Sequence, residues 1–310
     1  MFQRTLDPFE TIIMFPRSFH YHRARSLQEA ATLLGQLGPE ARALAGGQSL
    51  IPLMKLRFAN PAHLVDLNFI ANTSYIRLEG DVVRLGAMTR HAEIENSDTI
   101  MRVPIVHDCA AGIADVQVRN RGTIGGSVAE ADPSGDWVPT LLALNTEVVC
   151  VSAHGERSIP LQGFITDAYT TALGPDELVS EIRVKLPPKH SGGCYLAFKR
   201  CAPVYASAAV AVQLTMEDGH CRDAAIYLGC VGLTPVRAVT AESELRGQRL
   251  TPEKIATAAD AARSAADPQP DMRGSADYKR SLVAALLKQA IDVAARRARG
   301  EQVEVGHIYA

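Results

Sequence analysis

The spacing of apolar residues in the first part of the chain changes between helical and strand-like. Ser26 to Glu29 form a capping box, and the leucines and alanines after it recur at helical intervals. This pattern predicts a helix that ends at Gly38-Pro39. A short apolar strand at 41–45, a second helix at 49–57 and a buried strand at 63–67 are predicted next.

From Tyr75 onward the apolar period becomes two, which is typical of half-buried strands. Apolar residues on both sides of Glu79-Gly80-Asp81 predict a hairpin, and Asp218-Gly219 predicts the turn of another. The same pattern predicts strands at 147–151, 177–186, 195–200, 206–216 and 223–231.

After Pro235 the chain becomes rich in alanine and helical in pattern. Thr251 as cap and Pro252 at the first position open one helix, and the segment 267–274, which holds two prolines, ends it. A last helix carries an apolar stripe from Leu282 to Ala294, which we interpret as intramolecular core.

These elements predict an α+β protein in two domains that are divided near Pro187-Pro188. The expected domains are residues 14–188 and 192–299, with residues 1–13 and 300–310 as flexible ends. Met14, which precedes Phe15-Pro16, is a candidate for an alternative start of translation.

Composition and charge narrow the functional classes. Of 310 residues, 47% are hydrophobic and 21% charged, which is typical of a protein with a folded core. The formal net charge is −2 and no basic stretch is interleaved with aromatics, so a nucleic-acid surface is not expected. No apolar run reaches the ~18 residues that a membrane span requires. Asp7 and Glu10 lie where a signal peptide would carry its apolar segment, so no signal peptide is expected. We therefore expect a cytoplasmic protein.

The cysteines and histidines show no pattern typical of a metal site. None of the six cysteines forms a C-x-x-C pair, so neither a zinc site nor an iron–sulfur cluster is expected on this chain. We expect the cysteines to be free thiols in or near the core. His20 and His22 would share one face of a strand, but the sequence supplies no further ligand beside them.

Two segments with paired glycines carry the candidate chemistry. Ala43 to Leu50 follows a predicted strand and precedes a helix, and Arg121 to Ser127 holds the second pair. Glycines let successive backbone N–H groups converge on one anion, so two such loops suit the two phosphates of a dinucleotide. Neither loop matches the Rossmann fingerprint or the P-loop, and a glycine pair alone is also ordinary turn chemistry.

Longer strings resemble one family over residues 14–299, in order and without a large insertion. They are Phe15-Pro16-Arg17-Ser18-Phe19-His20-Tyr21, Ala45-Gly46-Gly47-Gln48-Ser49-Leu50-Ile51-Pro52-Leu53-Met54-Lys55, Leu85-Gly86-Ala87-Met88-Thr89, Arg121-Gly122-Thr123-Ile124-Gly125-Gly126-Ser127-Val128-Ala129, Asp132-Pro133-Ser134-Gly135-Asp136, Gly232-Leu233-Thr234-Pro235-Val236-Arg237-Ala238 and Tyr278-Lys279-Arg280. With these strings the chain resembles the FAD-binding medium subunits of the molybdenum hydroxylases, the xanthine dehydrogenase and carbon monoxide dehydrogenase flavoproteins.

The resemblance implies a fold and a set of cofactor-binding residues. It implies a two-part FAD-binding domain of the vanillyl-alcohol-oxidase-like type, followed by a small antiparallel sheet packed on a helical bundle, as in the CO dehydrogenase flavoprotein C-terminal domain. The FAD pyrophosphate would lie against two loops, mainly on backbone N–H groups. The carboxylate of Asp136 would contact the cofactor, and Tyr195 would lie near the isoalloxazine ring. The loop residues are Ala45, Gly46, Gly47, Gln48, Ser49, Leu50, Thr123, Ile124, Gly125, Gly126 and Ser127.

The chain departs from the family near the expected flavin ring. Many relatives have Asp where this chain has Val204, and a lysine common after the tyrosine is replaced here by Leu196 and Ala197. The cysteine-rich insertion of the 4-hydroxybenzoyl-CoA reductase branch is also absent from the sequence. These departures leave the electron acceptor open between NAD, oxygen, a quinone and a carrier protein.

The resemblance implies a redox relay as the leading function. Electrons would arrive from [2Fe-2S] clusters on a small partner subunit, supplied by a molybdopterin cofactor on a large subunit, in a dimer of heterotrimers. We expect FAD to be bound non-covalently, since no His or Cys lies within either loop, and no catalytic acid or base is nominated. The alternatives are a self-sufficient FAD-dependent oxidase or reductase and a nucleotide-binding module without redox activity.

Overall fold

The computed structural model describes residues 15–306 and 308–309. Its helices are α1 Leu27–Leu37, α2 Leu50–Lys55, α3 His91–Glu95, α4 Pro104–Gly112, α5 Val116–Arg119, α6 Ile124–Glu130, α7 Trp137–Leu142, α8 Leu161–Phe164, α9 Val239–Leu245, α10 Pro252–Ala265 and α11 Ala276–Ala298. Its strands are β1 His20–Arg23, β2 Ala41–Leu44, β3 His63–Asp66, β4 Ile76–Glu79, β5 Val82–Gly86, β6 Glu147–Ser152, β7 Gly155–Pro160, β8 Ile165–Asp167, β9 Thr170–Thr171, β10 Leu178–Lys185, β11 Ser191–Lys199, β12 Ala208–Glu217, β13 His220–Gly229, β14 Val236–Arg237 and β15 Ile308–Tyr309.

The first sheet is small and parallel, with the strand order β1-β3-β2. Helix α1 packs on it and buries Ala30 and Leu34 against Val65 of the central strand. The predicted capping box is present in part: the Ser26 hydroxyl accepts the Glu29 N–H, while the Glu29 carboxylate accepts the N–H of Arg25. This sheet carries β2, and β2 leads directly into the first glycine loop.

The second sheet is antiparallel, with the strand order β4-β5-β10-β6-β7. The predicted hairpin joins β4 to β5 through Gly80-Asp81, and Gly80 has a φ of +62°, which favours glycine. Helices α3 to α7 pack around the buried face of this sheet, where Leu85, Trp137 and Ile182 are fully enclosed. The short β8-β9 hairpin lies beside α8.

The third sheet has the strand order β14-β13-β12-β11-β15. Its strands alternate between two cores: Cys194 and Leu196 of β11 face the helices α9 to α11, while Tyr195 joins the core of the second sheet. This alternation follows from the two-residue period of a strand. The other face of the third sheet therefore packs against the core of the second sheet.

A buried ion pair links α11 to α4. The guanidinium of Arg297 donates to both carboxylate oxygens of Asp108 at 2.6 and 2.9 Å, and also to the carbonyl of Gly193. Both side chains are enclosed, and paired geometry of this kind is specific in distance and orientation. The contact fixes the third sheet and its helices against the helices that surround the site.

The α+β prediction with a small antiparallel sheet on helices is confirmed, and so are the predicted strands and the helices at α1, α2, α10 and α11. Helices α3 to α7 and the exposed edge strand β7 were not predicted. The cysteines are free, and Cys201 differs from the core location expected because it is exposed. In the described residues no helix is long and apolar enough to cross a membrane.

Candidate FAD site

The first glycine loop connects the end of β2 to the start of α2. Within the described residues, no protein acceptor takes the N–H groups from Gly46 to Leu50. Except for the exposed Gln48, these residues are buried or partly buried. Backbone N–H groups in such positions nearly always have a partner, so a row without one is typical of an anion site. Gly47 has a φ of +74°, a conformation that a side chain with a Cβ rarely adopts.

Two side chains hold this loop in place. The amide of Asn68 donates to the carbonyls of Leu44 and Ala45. The Arg90 guanidinium then donates to the side-chain oxygen of Asn68 at 2.7 Å and to the carbonyl of Arg121 at 2.6 Å. Arg90 therefore connects the first loop to the start of the second, and burial lowers its pKa from the ordinary value.

The second glycine loop leads into α6. The Thr123 hydroxyl caps this helix by accepting the N–H of Gly126 at 3.3 Å. The N–H groups of Ile124 and Gly125 donate to the carbonyls of Thr89 and Ala87, so they point away from any ligand. Ile124 and Gly125 therefore support the loop structurally. The second loop does not offer all of its N–H groups to a phosphate, contrary to the expectation from the sequence.

The two loops meet backbone to backbone at Gly46. A Cβ placed on Gly46 would lie 2.5 Å from the carbonyl oxygen of Arg121 and 2.8 Å from the Cα of Gly122. Such a distance is far below van der Waals contact, so only glycine permits this approach. The contact places the N–H row of the first loop directly opposite the second loop.

A cavity of about 300 Å³ lies between the loops. Most of the residues predicted to bind the cofactor line it, and they come from both loops and from the start of α7. They are Ala45, Gly46, Gly47, Gln48, Ser49, Leu50, Thr123, Gly126, Ser127 and Asp136. Ile124, Gly125 and Tyr195 are buried behind the wall of the cavity and do not line it.

Tyr195 reaches the site through Asp136. Its hydroxyl donates to Oδ1 of Asp136 at 2.6 Å, and burial followed by the charge of Asp136 raises the pKa of Tyr195, which keeps the phenol protonated. On the other side, Nζ of Lys199 lies 3.4 Å from Oδ2 of Asp136 and donates to the carbonyl of Gly112 at 2.6 Å. Asp136 is therefore held between a neutral donor and a cation.

Lys199 was not predicted as a site residue, although the strand period gives the signal for it. Tyr195, Ala197 and Lys199 alternate along one face of β11, so a tyrosine directed to the site places the lysine there as well. Its ammonium is almost fully buried and lines the cavity.

The outer part of the cavity is acidic and aromatic. Glu130 and Asp132 line it, and burial followed by the charge of Asp132 raises the pKa of Glu130. Val204, where the resemblance led us to expect Asp, and Tyr205 form part of the same wall and are partly exposed. The departure at Val204 thus lies inside the candidate site.

The histidines near the amino end do not form a metal site in the described structure. Nε2 of His22 lies 3.0 Å from Nδ1 of His63 on the neighbouring strand. Among the described residues no group of three or more His, Cys, Asp or Glu side chains is arranged to hold a metal ion.

Comparison with known proteins supports the identity of the cofactor. A family model described as the FAD binding domain in molybdopterin dehydrogenase matches residues 17–187, and one described as the CO dehydrogenase flavoprotein C-terminal domain matches residues 193–294. The carbon monoxide dehydrogenase medium chain of Hydrogenophaga pseudoflava is 40% identical over 282 residues, 91% of this chain and 98% of that one.

This chain belongs to the FAD-binding medium subunits of the molybdenum hydroxylase family. Another relative of this medium subunit is the 6-hydroxypseudooxynicotine dehydrogenase complex subunit alpha of Paenarthrobacter nicotinovorans, at 38% identity over 95% of this chain and 100% of the relative. The solved carbon monoxide dehydrogenase from Hydrogenophaga pseudoflava that lacks the Mo-pyranopterin moiety of the molybdenum cofactor matches with a TM-score of 0.89 and 41% identity. That match covers 91% of this chain and 99% of the solved chain.

The geometry fits the cofactor of a medium subunit. The N–H row from Gly46 to Leu50 supplies donors for a dianionic pyrophosphate, while Gly46 permits the close approach of the two loops and Gly47 permits the turn at a φ of +74°. The family match makes FAD the cofactor of this chain and makes the chain part of a multi-subunit molybdenum-containing oxidoreductase. The contact of each individual residue with FAD stays a prediction.

Proposed function

We propose that this medium subunit passes electrons from [2Fe-2S] clusters on a partner subunit to an external acceptor. When bound, FAD supplies the redox chemistry, because its isoalloxazine ring accepts and releases electrons. The observation that best supports this proposal is the N–H row from Gly46 to Leu50, opposite a second glycine loop across one cavity.

The residues of this chain have binding and positioning roles in this proposal. The N–H row holds the pyrophosphate, and Gly47 provides the turn that the row requires. Asp136 is available to hold the cofactor further into the cavity, with its carboxylate fixed by Tyr195 and Lys199. Electron relay needs no proton transfer from a side chain, so no residue is assigned as a general acid or base.

The assembly is also part of the proposal. Medium chains are named as parts of larger enzymes, among them carbon monoxide dehydrogenase and the glyceraldehyde dehydrogenase of Sulfolobus acidocaldarius, which implies small and large partner subunits. We propose that the small partner carries the [2Fe-2S] clusters and the large partner the molybdopterin cofactor. A two-fold dimer of such heterotrimers in the cytoplasm is the expected assembly.

Co-expression of this chain with the small and the large partner subunit tests this proposal. The purified assembly should contain three different chains, FAD, iron and molybdenum, and acid precipitation should release the flavin into the supernatant. Candidate substrates are those in the names of the relatives: carbon monoxide, glyceraldehyde and nicotine. Purification of the chain as a stable FAD protein that associates with neither partner would contradict the relay.

A further inference from the structure

His91 is a cavity residue that the sequence analysis did not identify. It is the first residue of α3 and is only 4% exposed, and its ring lines the cavity beside the second glycine loop. A Cβ placed on Gly122 would lie 2.6 Å from Nε2 of His91 and 2.7 Å from its Cδ2. The absence of a Cβ at Gly122 thus leaves the room that this edge of the imidazole occupies.

The tautomer of His91 follows from its partner. The indole Nε1 of Trp137 lies 3.1 Å from Nδ1 of His91. An indole nitrogen only donates, so Nδ1 must accept and the proton of the neutral ring must sit on Nε2. Burial, followed by the charges of Arg90 and Arg119, lowers the pKa of His91 to about 3, so the ring is neutral at physiological pH.

The Nε2–H donor has no protein partner in the described structure. No hydrogen bond from Nε2 of His91 is present, yet the atom is not sealed within protein. Among the described residues, one side-chain nitrogen or oxygen is both fully enclosed and without a partner, and it belongs to Arg57. Nε2 of His91 has no partner either, so it must keep some accessible surface. The remaining accessible surface of Nε2 therefore opens into the cavity that His91 lines. A donor on a buried side chain that is directed into a cavity requires an acceptor from water or a ligand.

We propose that His91 is a further cofactor-binding residue, whose neutral Nε2–H donates to a phosphate oxygen of FAD. The proposal rests on this cavity being the FAD site. The phosphate is the acceptor because His91 lies at Gly122, next to the Gly46 contact where the two loops meet. A neutral donor held by Trp137 binds an anion without gaining or losing charge, and it needs no reorganisation when the cofactor enters.

Titration of the apo chain with FAD tests the contact. We expect His91→Phe to raise the Kd for FAD by about 5- to 150-fold, which corresponds to about 1–3 kcal/mol for a lost charge-assisted hydrogen bond. His91→Gln, whose amide can both accept from Trp137 and donate to the cavity, should recover part of this loss. The exposed His154→Phe is the matched control and should bind FAD like the natural chain.

Two spectroscopic readouts, on the natural chain and on His91→Gln, keep the proposal falsifiable if His91→Phe does not fold. Nitrogen NMR of His91 should show a protonated Nε2 and an unprotonated Nδ1, and the Nε2–H resonance should move when FAD binds. Phosphorus NMR of bound FAD should show one resonance that differs between the natural chain and His91→Gln. If FAD binds tightly while the Nε2–H resonance stays unchanged, the His91 contact is wrong. If FAD does not bind the natural chain, the site itself is wrong.

Discussion

Replacement of Gly46 by alanine tests the contact between the two loops. The new Cβ would lie 2.5 Å from the Arg121 carbonyl oxygen, whereas ordinary contacts of a Cβ begin at 3.4 Å. The loops must therefore separate by about 0.9 Å, and the obstructing atoms are backbone, which cannot rotate away. Overpacking of this kind costs about 1–3 kcal/mol, which corresponds to about 5- to 150-fold in an equilibrium constant.

The loops border a cavity and can separate by this distance when no cofactor is bound, so most of the cost should appear as weaker FAD binding. We expect Gly46→Ala to raise the Kd for FAD within that range, measured by flavin fluorescence during titration of the apo chain, with only a small fall in Tm. Gly163→Ala is the control, because a Cβ there meets nothing within 4 Å. If Gly46→Ala binds FAD as tightly as the control, the loop contact does not shape the site.

Three further predictions concern the same cavity. Gly47→Val and Gly126→Val should purify without flavin. Valine is strained at the φ of +74° found at Gly47, and a Cβ on Gly126 would lie 2.7 Å from the Thr123 hydroxyl. Full flavin occupancy in both variants would refute the loop assignment. Asp136→Ala should weaken FAD binding by about 1–3 kcal/mol in the same titration, and an unchanged Kd would exclude the carboxylate. Burial lowers the pKa of His91 from 6.5 to about 3 in the folded chain. Between these two pH values the unfolded chain therefore binds one more proton than the folded chain. Its contribution to stability should be lost as pH falls below 6.5, at about 1.4 kcal/mol per pH unit, and acid unfolding of His91→Gln should lack this slope.

Local sequence chemistry predicted the elements that begin or end on specific side chains. The Ser26 hydroxyl caps α1, and the Gly80-Asp81 turn forms the hairpin, because both depend on residues adjacent in sequence. The first glycine loop was found for the same reason, since the positive φ of Gly47 is a local requirement. The contact of Gly46 with Arg121 was not predicted, because it joins residues far apart in sequence.

Features that depend on distant parts of the chain were not predicted. Helices α3 to α7 have only four to nine residues each, which is too few turns to display the apolar stripe by which a longer helix is recognised. Strand β7 is an exposed edge strand and shows no apolar alternation. Arg90 and His91 act through partners 22 or more positions away, Asn68, Arg121 and Trp137, which no local pattern reveals.

Anaerobic mixing of the isolated chain with candidate substrates tests most directly whether it is a relay and not a complete enzyme. The FAD-loaded chain is mixed with carbon monoxide, glyceraldehyde or nicotine while the absorbance of oxidised flavin is followed. We predict no bleaching by these compounds with the chain alone, and bleaching by one substrate once both partner subunits are present. Rapid bleaching of the isolated chain by an organic substrate would contradict the relay and establish a self-sufficient flavin oxidase or reductase.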